Sequence, residues 1–386
     1  MRVRTQMAAL CLVLLLAGGA QANDSLNVRR VGQCASPGEA TDVAVSDTIA
    51  YVSDYLYGLR VISVCDPSHP ESLGHYDMPN MWPLGVVACS GYVYMACLRG
   101  LHVISVSDPA NPTEVGRCDT LLSAYDVACS GGYAYVAAGD SGLRVVSIAD
   151  PEHPVEVGHC DIPGSSEGVS VNGQYVFVAA YDSGLRVISV VDPSHPEEVG
   201  VCATVGQSRG VAVSGNYAYV AAGLDGLRVV FVSDPSHPVE VGHCPVGSAR
   251  GVAVDSGYAY VAAYINGLRV VSIADPAHPV EVGHYRMSSW ANATAICGGY
   301  VYVAYGLSGL QVFQYFVSGV EESIQPLITS RSPAATIIRT LPVGTLAFDA
   351  MGRRAVNPRT GIHFVREDAR PASQKPQVVR KVVLQR

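Results

Sequence analysis

Histidine and cysteine are the residues of this chain best suited to hold a metal or attack a substrate, and both recur with a period. His69, His153, His195, His237 and His278 sit inside Asp-Pro-x-His-Pro segments, and His75, His159, His243 and His284 follow a few residues on. Zinc needs three or four ligands converging on one ion. One equivalent histidine per repeat diverges around an array, so these residues are expected to shape turns rather than bind metal. Cys34, Cys118, Cys160, Cys202 and Cys244 share one place in the repeat, and Cys89, Cys129 and Cys297 share another. No Cys-x-x-Cys pair occurs, and within one repeat the two places are three strand spacings apart, roughly 14 Å, beyond the ~7 Å Cα separation that a disulfide spans. Mostly free thiols are expected, acting as small apolar fillers.

Arginine also repeats. Arg60, Arg144, Arg186, Arg228 and Arg269 follow a Gly-Leu pair, often shortly after an acid such as Asp140, Asp182 or Asp225. This spacing predicts an ion pair that ties a loop to its own repeat, with anion binding as the alternative. Gly-x-Ser-x-Gly, His-Glu-x-x-His, phosphate-loop and dinucleotide motifs are all missing.

The elements that must position these groups form an array. Gly-Leu pairs begin at Gly58, Gly100, Gly142, Gly184, Gly226, Gly267 and Gly309, 42 residues apart with one step of 41. Each unit carries four β-rich runs, as in Arg250-Gly-Val-Ala-Val, Tyr258-Ala-Tyr-Val-Ala-Ala, Gly267-Leu-Arg-Val-Val-Ser-Ile and Val280-Glu-Val-Gly-His. Gly, Asn, Asp and Pro separate the runs. Four short strands in about 42 residues is the size of a propeller blade. The fold expected is all-β: a seven-bladed β-propeller with a small C-terminal β-sandwich-like module. The repeats begin with a lone fourth-strand segment, Val28–Cys34, and end with a set that lacks one, so the opening segment is expected to complete the last blade. Tyr133, Tyr135, Tyr258 and Tyr260 alternate along their runs and are expected to pack blades.

These units resemble the LVIVD-repeat proteins through Gly142-Leu143-Arg144-Val145-Val146, Asp150-Pro151, Pro154 and Val157-Gly158, a pattern that recurs over residues 28–316. The resemblance implies a β-propeller of bacterial secreted or surface proteins and implies no catalytic residue.

Charge divides the chain. Its net charge of −8 joins an acidic body without lysine, residues 23–321 at −17, to a basic tail, residues 322–386 at +7. An acidic body argues against nucleic acid as partner. Residues 1–22 have the layout of a cleaved secretory signal: Arg2 and Arg4, an apolar run from Ala8 to Leu16, then small residues to Ala22. That run is too short to span a bilayer. The organisation expected is a signal at 1–22, a propeller at 23–317, a linker at 318–333 and a β module at 334–386. The last segment resembles C-terminal sorting modules of the type IX secretion pathway, through Phe348-Asp349-Ala350-Met351-Gly352-Arg353-Arg354, Gly361-Ile362-His363-Phe364-Val365-Arg366 and Arg380-Lys381-Val382-Val383-Leu384. The family's usual Tyr is His363 here, and its upstream Asn-Pro-Phe is absent. The resemblance implies that Asp349, Gly352, Arg353, Gly361, Phe364 and Lys381 form a sorting motif that engages export and sorting machinery. The location implied is extracellular or at the cell surface, with the periplasm as alternative.

Function is sought where the copies differ. The segments joining the fourth strand of one unit to the first of the next diverge most, and they share the channel mouth with the loops between second and third strands. This selects Trp82, Tyr125, Glu167, Arg209, Arg250, Trp290 and Asn292 from the former, and Tyr55, Tyr181, Asp182, Asp225 and Tyr264 from the latter. The expected function is a secreted or surface-attached, noncatalytic platform for an extracellular protein or glycan, with no required cofactor. Calcium held by loop carbonyls and Asp is permitted but not demanded. The alternative is an exported propeller hydrolase or lyase using acids such as Asp42, Asp126 or Glu167. Convergent carboxylates, or an Arg within reach of a Tyr across blades, would mark the enzyme, whereas a smooth channel of Val, Ala and Gly would mark the platform.

Overall fold

The computed structural model describes residues 25–119, 123–316 and four strand segments of the tail. Among the described residues there are strands and turns and no helix. The first blade contains Ala40–Ser46, Ile49–Asp54, Gly58–Ser63 and Glu71–Tyr76, hydrogen-bonded in that order from the channel outward. Blades 2 to 7 repeat the pattern, their innermost strands being Pro83–Cys89, Asp126–Ser130, Gly168–Asn172, Gly210–Ser214, Gly251–Asp255 and Ala293–Cys297. Each innermost strand packs beside the next, and the seventh returns to the first. Blade 7 takes its outermost strand from the start of the repeats. Val28–Cys34 pairs antiparallel with Leu310–Tyr315, Val28 opposite Tyr315 and Cys34 opposite Leu310. Ser25–Leu26 continues onto blade 6 as a fifth strand, opposite Tyr285 and His284. One short segment therefore staples two blades.

The repeated motif explains itself in packing. Gly142 opens the third strand of its blade at a φ of 74°, and a β-carbon there would meet the Cys160 carbonyl of the fourth strand. The leucine after each such glycine, from Leu59 to Leu310, is fully buried. Burying one leucine contributes about 1.5–3 kcal/mol, so the seven together anchor the ring. Asp-Pro turns follow. In blade 4, Asp192 accepts from the Ser194 amide at 3.0 Å, and its other oxygen holds His195 Nδ1 at 3.0 Å. The same arrangement recurs at Asp66, Asp150, Asp234 and Asp275, with the histidines exposed. The turn histidines are structural, as their repetition implied.

Arginine differs from expectation in its partner. Arg144, Arg186, Arg228 and Arg269 reach glutamates of the fourth strand, Glu156, Glu198, Glu240 and Glu281, at 2.9–3.3 Å. Only Arg228 also pairs with an acid of the preceding loop, Asp225 at 3.5 Å. Fourth-strand glutamate wins because antiparallel pairing places it beside the arginine, while the loop acid extends into water. Tyr135 and Tyr260 are buried between blades, with Tyr133 and Tyr258 packed against the same clusters.

The chain forms two compact units, Met1–Val320 and Glu321–Arg386. In the second, Ile337–Ile338, Leu346–Phe348, Gly361–Arg366 and Val379–Leu384 form one four-stranded sheet. Gly361 lies opposite Leu384, and Phe364 lies opposite Lys381. Asp349, Gly352 and Arg353 of the suggested sorting motif fall outside the described residues, as does the suggested signal at residues 1–22. Among the described residues no helix is long and apolar enough to cross a membrane.

Candidate functional site at the channel mouth

At the start of each innermost strand, or just before it, stands a residue that takes six types in seven blades: Thr41, Leu84, Tyr125, Glu167, Arg209, Arg250 and Asn292. Together these seven line a cavity of about 170 Å³. The next position is Gly in blades 2, 4, 5 and 6 because neighbouring strands nearly touch; a β-carbon on Gly210 would stand 2.6 Å from the Arg250 carbonyl oxygen. Blades 1 and 3 carry Asp there, and the carboxylate fills the gap. Asp42 accepts the Val43 amide through Oδ1 and the Val86 amide of blade 2 through Oδ2, both at 2.8 Å. Asp126 accepts from Val127 at 2.8 Å and from Val169 of blade 4 at 2.9 Å. These bonds favour the charged form, but burial outweighs them: Asp42 is pushed up to about 8, helped by the nearby Asp126, and Asp126 to about 6.

Above these acids lie two cation–aromatic clusters. Arg209 donates to Glu167 at 3.0 Å and to Gln207 at 3.1 Å, and its guanidinium lies 5.0 Å from the Tyr181 ring centre. Burial raises the Glu167 carboxyl despite the opposing Arg209 charge. One blade on, Arg250 donates to Asn292 Oδ1 at 3.0 Å and sits 3.8 Å from the centre of Tyr264. Asn292 donates to the Ala40 carbonyl at 2.9 Å, and Trp290, 6.0 Å from Tyr264, donates through Nε1 to Glu39 at 3.0 Å. Desolvation lowers the Arg250 pKa.

Both tyrosines stand where blades 3, 5 and 7 have glycine. Tyr181 and Tyr264 have φ of 46° and 47°, matching Gly139, Gly223 and Gly306 at 54°, 57° and 50°. A bulky side chain in this region is strained by about 1–3 kcal/mol and persists only where neighbours hold it. Here each is held by a pair of backbone bonds to the next blade, Tyr181 with Ser208 and Tyr264 with Ala291, at 2.9–3.0 Å.

The residue after this position forms the loop tip. In blades 5, 6, 7 and 1 it is Leu224, Ile265, Leu307 and Leu56, and all four are exposed, Leu224 to 84%. Blades 2, 3 and 4 carry Arg99, Asp140 and Asp182 instead. Four consecutive blades thus present aliphatic side chains around one arc of the mouth, beside Trp290 and Tyr264.

Of the residues selected from sequence, Tyr125, Glu167, Arg209, Arg250 and Asn292 share the cavity, and Tyr181, Tyr264 and Trp290 pack on that group. Trp82 lies apart on blade 2 under Arg99, 5.2 Å from its ring centre. Tyr55 donates its amide to the Glu39 carbonyl at 2.9 Å, Asp182 is an exposed loop tip, and Asp225 pairs with Arg228. The aliphatic arc was missed although its signal is present, a Leu or Ile one residue after each of Tyr55, Gly223, Tyr264 and Gly306. A second cleft of about 560 Å³ opens on the opposite face between blades 1 and 2, lined by Ser46, Thr48, Ser90, Ser105 and Ser107 among others. Among the described residues no three His, Cys, Asp or Glu side chains are grouped to hold a metal ion.

Ring closure, blade order and this variable mouth define a seven-bladed β-propeller built from sequence repeats. The LVIVD repeat matches residues 37–78, 85–120, 123–162, 163–204, 205–246 and 246–287, and the chain belongs to the LVIVD-repeat family. Its fold is similar to that of the WD40 β-propeller domain of Doa1 (TM-score 0.59, 10% identity, 75% of this chain and 97% of that one). It is similar also to the computationally designed Ika8 protein (TM-score 0.55, 10% identity, 75% and 100%). No curated protein matches the chain.

Proposed function

We propose that the propeller is a noncatalytic binding platform whose channel mouth docks an extracellular protein. The observation that carries this reading is the aliphatic arc of Leu224, Ile265, Leu307 and Leu56, because exposed apolar side chains repeated in adjacent blades form a patch that water alone does not favour. Beside it, Arg and aromatic side chains supply the groups enriched at binding hot spots. Export through residues 1–22 and sorting through residues 334–386 would bring the propeller to such a partner. In a protein fraction from the outer cell surface, binding to the immobilised propeller should disappear when the fraction is treated with protease or when Leu224 and Leu307 are both changed to Glu. Binding that survives protease and instead needs Tyr264 would replace the protein with a glycan.

A second reading, an exported hydrolase or lyase, draws support from Asp42, Asp126 and Glu167 lining one cavity and from Arg209 Nη2 lying 3.5 Å from the Tyr181 hydroxyl across blades. The platform is favoured because these acids are committed. Asp42 and Asp126 each use both oxygens on backbone amides of two blades, and Glu167 is paired with Arg209. Turnover of a chromogenic ester or glycoside, lost in Asp126→Asn, would establish the enzyme.

A further inference from the structure

Cys89 ends the innermost strand of blade 2, opposite Tyr92, and Cys129 stands one residue before the end of the innermost strand of blade 3, opposite Ala134. Side chains alternate along a strand, so this offset of one residue turns the two thiols toward each other across the interface. Both pack in one cluster with Tyr94, Val87 and Val127, and the Cys129 thiol lies within hydrogen-bonding reach of Cys89. The same two places hold Cys297 and Val45 between blades 7 and 1, Ser130 and Val171 between blades 3 and 4, and Asn172 and Val213 between blades 4 and 5. In no other contact of the ring do both places carry sulfur. The two cysteines belong to different blades and become adjacent when blades 2 and 3 pack against each other.

We propose that Cys89 and Cys129 form a disulfide that joins blades 2 and 3 at the channel wall when the protein meets an oxidising, disulfide-containing compartment. The oxidant is a disulfide of the glutathione class. Both cysteines are half-buried, but the contact of Cys89 Sγ with Ser90 at 3.5 Å faces solvent while the Cys129 thiol is the more desolvated, so Cys89 reacts first. Its thiolate attacks one sulfur of the oxidant, forming a mixed disulfide and releasing one thiol. Cys129 then loses its proton and attacks Cys89 Sγ; the new S–S bond forms as the second thiol leaves. Two protein thiols are oxidised and one disulfide is reduced to two thiols. Burial holds the Cys129 thiol well above its usual range, which makes the second step slow and faster at higher pH.

The test uses the reduced full-length chain, incubated with oxidised glutathione, quenched with an alkylating agent, digested without reduction and mapped by mass spectrometry. The expected product is one cross-linked peptide pair containing Cys89 and Cys129, lighter by two hydrogens, with both sulfurs resisting alkylation. Cys129→Ala, which places at this position the residue blade 2 has at Ala88, should lose the cross-link and leave Cys89 as a mixed disulfide with glutathione. The urea midpoint should rise on oxidation in the natural protein and stay fixed in Cys129→Ala. Alkylation of both residues after oxidation, or their pairing with other cysteines, would overturn the proposal.

Discussion

Gly158, on the outermost strand of blade 3, lies against the carbonyl oxygen of Pro193, in the Asp-Pro turn of blade 4, with no room between them for a β-carbon. Equivalent contacts join Gly32 to Pro67, Gly74 to Pro109, Gly116 to Pro151, Gly200 to Pro235 and Gly242 to Pro276. The two most regular parts of the repeat, Val-Gly and Asp-Pro, are therefore the two halves of one joint, supplied by different blades.

That joint makes Gly158→Ala a sharp test. Overpacking a close contact costs about 1–3 kcal/mol, so a lowered urea midpoint is expected. Gly131→Ala, in a turn where a β-carbon meets nothing within 4 Å, adds only the cost of its positive φ. Equal losses in urea titrations of both variants would show that the joint is not close-packed.

Asp42 and Asp126 should make stability depend on pH. Their folded pKa values are raised above the ordinary 3.8 to about 8 and about 6, so between these values the folded chain holds protons that the unfolded chain has released. Raising the pH through that window favours unfolding. The thermal midpoint of the natural protein is expected to fall from about pH 4 to about pH 8, and Asp42→Asn should flatten the decline. Parallel curves for the two proteins would place these carboxyls in water.

Tyr181 and Tyr264 set stability against binding. Replacing either with Gly, the residue that blades 3, 5 and 7 use, should relieve left-handed strain of about 1–3 kcal/mol less the lost ring packing. Thermal melts are expected to hold or rise, while binding of the protein partner proposed for the mouth is expected to fall. A large drop in melting temperature would mean that the rings carry the fold rather than the site.

Removing residues 23–34 takes away the outermost strand of blade 7 and the fifth strand of blade 6. Leu310–Tyr315 then presents an unpaired edge, which invites pairing between chains. Size-exclusion chromatography should show self-association, with hydrogen exchange fastest in blades 6 and 7. A stable monomer with unchanged exchange would show that the staple is dispensable.

Much of the fold was legible because a repeat writes the same physics seven times. Gly-Leu spacing set the blade count, and the surplus strand at Val28–Cys34 against the deficit after Tyr315 implied the closure. Contacts between blades were less legible, since chain spacing says which residues share a blade but not which meet across one. Cys89 and Cys129 went unpaired for that reason, while the partner of Arg144 was misassigned to a loop because spacing does not give the strand register that brings Glu156 of the same blade within reach. At the mouth, five divergent residues did converge, while Trp82, Asp182 and Asp225 did not, because divergence marks relaxed loop tips as readily as a site.

The closing strand has a consequence in time. Arg29 donates to Gln314 at 2.6 Å across 285 residues of chain, so the first strand to be made finds its partner only after the last. Contacts this distant in sequence form late, because the whole intervening loop must be ordered before they are gained. For a polypeptide threaded amino end first through a narrow pore, six blades can assemble on the far side while Val28–Cys34 waits. In such a case the ring would close only once Leu310–Tyr315 had emerged, and a chain stalled before Leu310 would leave its opening strand unpaired.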